Sequence, residues 1–249
     1  MPRKKEIFRK EKETLKRFFD IESKDIPDLP DWINNQLIEY WYKNTFFIHY
    51  IPKISLDEIY NLSLWRDKPS KLLYKKIDQG KLKKETKILS GKWILIDGRD
   101  KPAKKVLWIG MNDFRFLQKI MKLNFKNYFK KWNKQLHENE YLLNILKEKD
   151  FGSRFCLNIY EINGLKPFIL DFLKISPKKV IRLPFFAEYN YLGNAFYKQW
   201  KTTETWEWLE DQLNDGQQLA SGSKSVSCIG WDPPEFWSTI LTFRPVIEL

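Results

Sequence analysis

The 249-residue chain is poor in the residues on which most catalysis depends: two cysteines (Cys156, Cys228), two histidines (His49, His137) and ten glycines. Two cysteines cannot build a disulfide framework, so a reducing compartment is the default, with one bridge left open. No Cys or His cluster has zinc-ligand spacing. No Gly-rich loop precedes a Lys-Ser/Thr pair, and there is no Gly-x-Ser-x-Gly elbow. No apolar run approaches the roughly 18 residues of a membrane helix. Basic Met1-Pro2-Arg3-Lys4-Lys5 leads into charged residues rather than the apolar stretch of a secretory signal. These absences favour a non-enzymatic binder, cytoplasmic or virion-associated and without membrane insertion.

Lysine is scarce in one part of the chain only. The formal net charge is +12, yet residues 201–249 hold three basic residues (Lys201, Lys224, Arg244) and eight acidic ones. That tail carries −5, which leaves +17 on residues 1–200. A solvated basic surface and a nucleic-acid partner both fit the +17. With 43% hydrophobic and 16% aromatic residues, the chain can bury a sizeable core.

Residues 3–19 alternate charge with Ile7, Phe8, Leu15, Phe18 and Phe19, a basic helix with a narrow apolar stripe. Asp31 is the expected cap of a second helix bearing Trp32, Ile33, Leu37, Tyr40 and Trp41. Ser55-Leu56-Asp57-Glu58 has the capping-box pattern, and a further helix is predicted from Ser70 to Asp78 with Gly80 beyond its end. Residues 1–85 thus read as a helical accessory region. The period changes at Lys92–Asp97 and again at Lys105–Gly110, two apolar strand signals. Residues 112–136 return to helical spacing, with lysines between aromatics. Such a helix, at 119–134 above all, is either core-facing or a nucleic-acid platform. A strand is expected at 153–159, then a helix with Pro167 in its first turn.

Near the C-terminus four motifs follow one another. Arg182-Leu183-Pro184 precedes Ala187-Glu188-Tyr189; then comes Thr205-Trp206-Glu207-Trp208, alternating as a strand does; Ser221-Gly222-Ser223 and a terminal Phe243-Arg244-Pro245 complete the series. This order resembles the formylglycine-generating-enzyme branch of the C-type lectin fold over residues 180–249. The resemblance implies an α+β, C-type lectin fold from residue 86 to 249, with the N-terminal helical region outside it. It also implies that the motif residues are scaffold, with Arg244 paired to a carboxylate. The enzyme's cysteine pair is absent, because only Cys228 lies in this part of the chain. The family's calcium-ligating Asn is replaced at the matching position by Glu204, so no cofactor is expected, with calcium as the alternative.

A closer resemblance is to the variable proteins of diversity-generating retroelements, which share that fold. In these, an error-prone reverse transcriptase rewrites adenine-derived codons in a C-terminal segment, and the altered side chains form a ligand-binding surface. The segment implied here is 220–242, rich in Ser and Gly, with one lysine and three large aromatics. Small polar residues mixed with aromatics also suit adaptable recognition on physical grounds. The resemblance implies variation at residue types that a mutated Asn-type codon can produce. These are Ser225, Ser227, Cys228, Gly230, Asp232, Pro233, Phe236, Ser238, Thr239 and Leu241, with Trp231 and Trp237 as fixed aromatic anchors. The expected partner is a protein or cell-surface ligand, with host or cell adhesion as the role. Two rivals stay open: a nucleic-acid binder using helix 119–134, and a divergent lectin-fold oxidoreductase using Cys156 and Cys228.

Overall fold

The computed structural model describes residues 3–58, 64–100, 157–201, 204–236, 238 and 241–249. In chain order these form α1 (Lys4–Phe19), α2 (Asn35–Lys43), β1 (Phe46–Ile51), α3 (Lys71–Asp78), β2 (Lys92–Asp97), α4 (Ile159–Phe172), β3 (Ile181–Arg182), α5 (Phe186–Ala195), β4 (Trp206–Gln212), β5 (Gln218–Gly222), β6 (Ile229–Asp232), β7 (Leu241–Thr242) and β8 (Val246–Glu248). The class is α+β. No helix among the described residues is long and apolar enough to cross a membrane. The expected strand at 105–110 and helix at 112–136 lie outside the described residues.

The local signals explain most helix ends, with two corrections. Ser70 Oγ accepts from Leu73 N–H at 3.3 Å and caps α3, and Gly80 beyond its end takes a left-handed φ of +65°. The cap of α2 is Asn34, whose Oδ1 accepts from Leu37 N–H at 2.9 Å, rather than Asp31. Both residue types serve this role, and Pro30 delays the helix because Ile33 N–H is drawn back to the Pro30 carbonyl. Pro167 lies inside α4, not in its first turn, and Ile159 belongs to that helix rather than to a strand. The helix begins at Ile159, whose N–H is held by the carbonyl of Pro234 at 3.0 Å.

Two four-stranded sheets organise the chain, in the orders β1-β2-β8-β3 and β6-β5-β4-β7. The first is antiparallel throughout; the second is mixed, because β7 runs parallel to β4. Ile48, Leu95 and Ile247 form a fully covered cross-strand row through the first sheet. Residues 1–85 are not purely helical. They contribute β1, which pairs with β2 along six residue pairs, so the boundary expected at residue 85 runs between neighbouring strands of one sheet. Helix α5 is buried on every side from Phe186 to Asn194 and packs against β4 and the short turns at 84–87 and 198–201.

Two buried arginines join the motifs. Arg182 forks onto Glu188 with both contacts at 2.7 Å and reaches Glu248 at 2.9 Å. Arg244 forks onto Glu207 at 2.8 and 2.9 Å, donates to the carbonyls of Asp97 and Arg99, and lies 4.0 Å over the Trp200 ring. Bidentate geometry and satisfied remaining donors are what make a buried pair tolerable after its desolvation. The expected scaffold role of Phe243-Arg244 and Trp206-Glu207-Trp208 therefore has a specific form: the pair Arg244–Glu207 joins the last motif to the second.

Asp211, at the irregular end of β4, accepts from Phe186 N–H at 2.6 Å and so satisfies the first turn of α5. Burial pushes its carboxyl up to about 7, against the opposing donors of Phe186 and Thr86; nearby Glu188 adds to the rise and Arg182 opposes it.

Two predictions follow from these buried charges. Arg244→Ala removes the two-bond ion pair from buried Glu207 and costs about 3–5 kcal/mol in urea unfolding. The paired change Arg244→Met with Glu207→Leu costs less than the two single changes summed, as a double-mutant cycle will show. For Asp211, an unfolded aspartate ionises near pH 4, so between about 4 and 7 the native state binds the extra proton. Stability therefore falls as pH rises through that window, by up to about 4 kcal/mol. Asp211→Asn flattens this slope when unfolding is measured from pH 4 to 8.

Candidate ligand-binding face

The segment expected to be irregular contains three strands, so 220–242 is not a free loop. Ala, Ser and Gly have little intrinsic preference for strands, and pairing supplies what propensity does not. Register places Trp208 opposite Ala220 and Ala220 opposite Gly230; Glu207, Ser221 and Ile229 align in the next row. Alternation then divides the segment between two faces. Glu207, Ser221 and Leu219 point to a fully buried side, with Ile229 beside them. Trp206, Ala220, Gly230 and Asp232 share the other side.

The indole of Trp206 lies across this second side. A Cβ at Gly230 would stand 3.3 Å from its ring, so Gly230 is the floor on which the indole rests. Gly230 accordingly serves the platform through its backbone. Asp232, half-buried, has its carboxyl pushed up by burial. Pro233 is exposed, and Phe236 is exposed at 41%. A turn closed by Phe236 N–H to the Pro233 carbonyl carries both. Ser238 is half-buried, and its carbonyl accepts from Leu241 N–H at 3.1 Å. Trp231 leaves on the opposite side, packed against the core with the Lys76 ammonium 3.8 Å from its ring centroid.

The loop 223–228 is anchored rather than loose. Ser223 and Lys224 both adopt left-handed φ values, 58° and 67°. Ser227 N–H donates to Ser225 Oγ at 3.1 Å, and Ser225 Oγ lies 3.4 Å from Asp67 Oδ1. Asn190 is the hub below. Its Oδ1 accepts from Trp65 Nε1 at 2.7 Å, and its Nδ2 donates to Ser227 Oγ at 2.7 Å and to the Asp67 carbonyl at 3.0 Å. Asn194 holds both backbone groups of Asp67. Val226 sits over Gly193, where a Cβ would come within 2.5 Å.

Among the expected variable positions, Ser225, Cys228, Asp232, Pro233, Phe236 and Ser238 are half-buried or exposed. Ser227 (5% exposed) and Leu241 (3%) are buried. Ser227 is held by Asn190 and the Asp67 carbonyl, and Leu241 is in strand pairing with Trp206, so neither side chain is presented. Thr239 and Trp237 lie outside the described residues, as do helix 119–134 and Cys156. Glu204, at the position matching the family's calcium ligand, pairs with Lys224 at 2.8 Å at the surface. No group of three or more His, Cys, Asp or Glu is gathered for a metal among the described residues. Sequence reasoning missed Asp67, Trp65, Asn190 and Asn194. Only the register of two distant segments brings them together, and no local pattern records that.

Protein-family models, curated proteins and solved structures were all compared with the chain, and none matches.

The face separates into two kinds of position, and stability measurements will tell them apart. Gly230→Val drives a branched side chain into the Trp206 indole and costs about 1–3 kcal/mol. Phe236→Ser and Pro233→Ser stay within about 0.5 kcal/mol of the parent chain.

Proposed function

We propose that this chain is a non-enzymatic ligand-binding protein of C-type lectin type, and that a retroelement diversifies its C-terminal segment. One observation carries the reading. The segment between the Trp-Glu-Trp strand and the Phe-Arg-Pro strand presents six of the expected variable positions on a frame that is itself buried and ion-paired. Fixed backbone with replaceable side chains is the arrangement that tolerates diversification, since most surface substitutions change stability little. The order of the motifs agrees with it. Arg182 binds Glu188 within the first motif, and Glu207 binds Arg244 across the second and the last. The partner is a protein or cell-surface molecule, contacted by Phe236 and the small polar side chains around it, and adhesion to a host or neighbouring cell is the role.

The test is genetic. The DNA beside the gene should carry a near-copy of the codons for 220–249 that differs mainly at adenines, next to a reverse transcriptase gene. The codons for Ser225, Cys228, Asp232, Pro233, Phe236 and Ser238 should coincide with adenine-bearing triplets of that copy, and those for Trp231, Trp237 and Arg244 should not. A neighbourhood without such a copy removes the diversification and leaves a fixed binder.

A further inference from the structure

Three buried side chains away from the candidate face stand in a hydrogen-bonded row: Glu11 of α1, His49 of β1 and Tyr197 just after α5. His49 Nδ1 is 2.9 Å from Glu11 Oε1, and His49 Nε2 is 2.7 Å from the Tyr197 hydroxyl. The network assigns the protons. The Glu11 carboxylate only accepts, and its Oε2 takes Tyr50 N–H at 3.1 Å. Nδ1 therefore carries the ring proton, Nε2 offers its lone pair, and the Tyr197 hydroxyl donates to it. A buried phenol thus faces a base that is itself backed by a carboxylate.

Burial holds the Tyr197 hydroxyl well above the usual phenol range; Arg244 opposes the rise, and Tyr42, Glu11 and Asp97 add to it. The proton therefore does not leave alone. Loss of an electron changes that, because an oxidised phenol is a strong acid and the base stands 2.7 Å away. One electron departs to the oxidant and one proton crosses to Nε2. What remains is a neutral phenoxyl radical and an imidazolium whose charge Glu11 balances. The ring of Trp200 stacks on Tyr197 at 4.4 Å and 5°, so the two share an electronic path. Trp200 is the poorer resting place for the oxidising equivalent. The Arg244 guanidinium lies 4.0 Å from its ring centroid and opposes a radical cation there. Its Nε1–H is bound at 3.0 Å to the Arg99 carbonyl, a far weaker base than imidazole.

We propose that Tyr197 is a redox-active tyrosine: an outer-sphere one-electron oxidant, of the class of high-potential metal complexes, withdraws an electron from it, its proton passes to His49, and the radical is held on its oxygen. Exposed Tyr160 is the contrast, since solvent is its base and its radical is open to quenching. The inference does not depend on the ligand-binding reading and stands or falls separately.

The experiment oxidises the full chain with tris(bipyridine)ruthenium(III), made by a light flash with persulfate, and follows radicals by electron paramagnetic resonance. The parent should give a lasting tyrosyl signal that Tyr197→Phe loses and Tyr160→Phe keeps, with circular dichroism confirming the fold of each variant. His49→Gln keeps a hydrogen-bond acceptor but removes the base, and should slow radical formation at Tyr197 by about 100-fold. If Tyr197→Phe or His49→Gln does not fold, the parent decides alone. The chain has two histidines, so isotope-labelled histidine marks few sites, and the tyrosyl signal should show coupling to a labelled nitrogen. A signal of parental strength in folded Tyr197→Phe overturns the proposal. So does parental kinetics in folded His49→Gln, or a tyrosyl radical without coupling to a histidine nitrogen.

Discussion

The buried fork between Arg244 and Glu207 is the contact on which the two sheets' relation depends. Glu207 belongs to the second sheet, whereas Arg244 precedes the central strand of the first and donates to the carbonyl of Asp97 at the end of β2. The guanidinium also covers Trp200, which stacks in turn on Tyr197 and Tyr189. One cation thus fixes two sheets and the aromatic stack after α5. Buried charge is a poor source of net stability, but it is exacting about geometry. A frame set by such a contact has little freedom to shift when neighbouring surface residues change.

The same economy of polar groups recurs wherever distant segments meet. Asn190 satisfies Trp65, Asp67, Val226 and Ser227 with a single amide. Glu11 satisfies a histidine and a strand amide with one carboxylate. Asp211 holds the start of α5. Each group is buried and hydrogen-bonded, as the penalty for burying a lone polar atom requires. Asn190 with Trp65 and Asp67, His49 with Tyr197, and Arg244 with Asp97 tie residues 1–100 to residues 180–249, so the N-terminal region is part of the same packed body as the candidate face.

Much of this architecture was legible in the sequence, for identifiable reasons. Helix α1 announces itself by its stripe, α3 by Ser70 and Gly80, β2 by Trp93-Ile94-Leu95-Ile96, and β4 by the alternation around Glu207. The need of Arg244 for a carboxylate was legible; that Glu207 supplies it was not, because pairing is a property of the register. Strand β1 escaped notice because its apolar run sits among helical signals and carries no alternation. Strands β5 and β6 escaped because Leu219-Ala220-Ser221-Gly222 and Ile229-Gly230 hold strand geometry by pairing and by the Trp206 indole. Of the candidate face, the exposure of Pro233 and Phe236 agreed with a reading from composition. The burial of Ser227 and Leu241 did not, because residue type alone does not say which way a side chain turns.

Strand β8 is only three residues long, yet it lies between β2 and β3 in the middle of its sheet. It follows every other described strand along the chain. Until Val246, Ile247 and Glu248 have been made, β2 lacks its inner neighbour and Arg182 lacks one of its two carboxylates. The first sheet therefore cannot close while the chain is still growing through β7. A chain that stops before residue 246 leaves the β1–β2 pair and β3 unjoined, with the backbone edge of β2 that β8 covers left open.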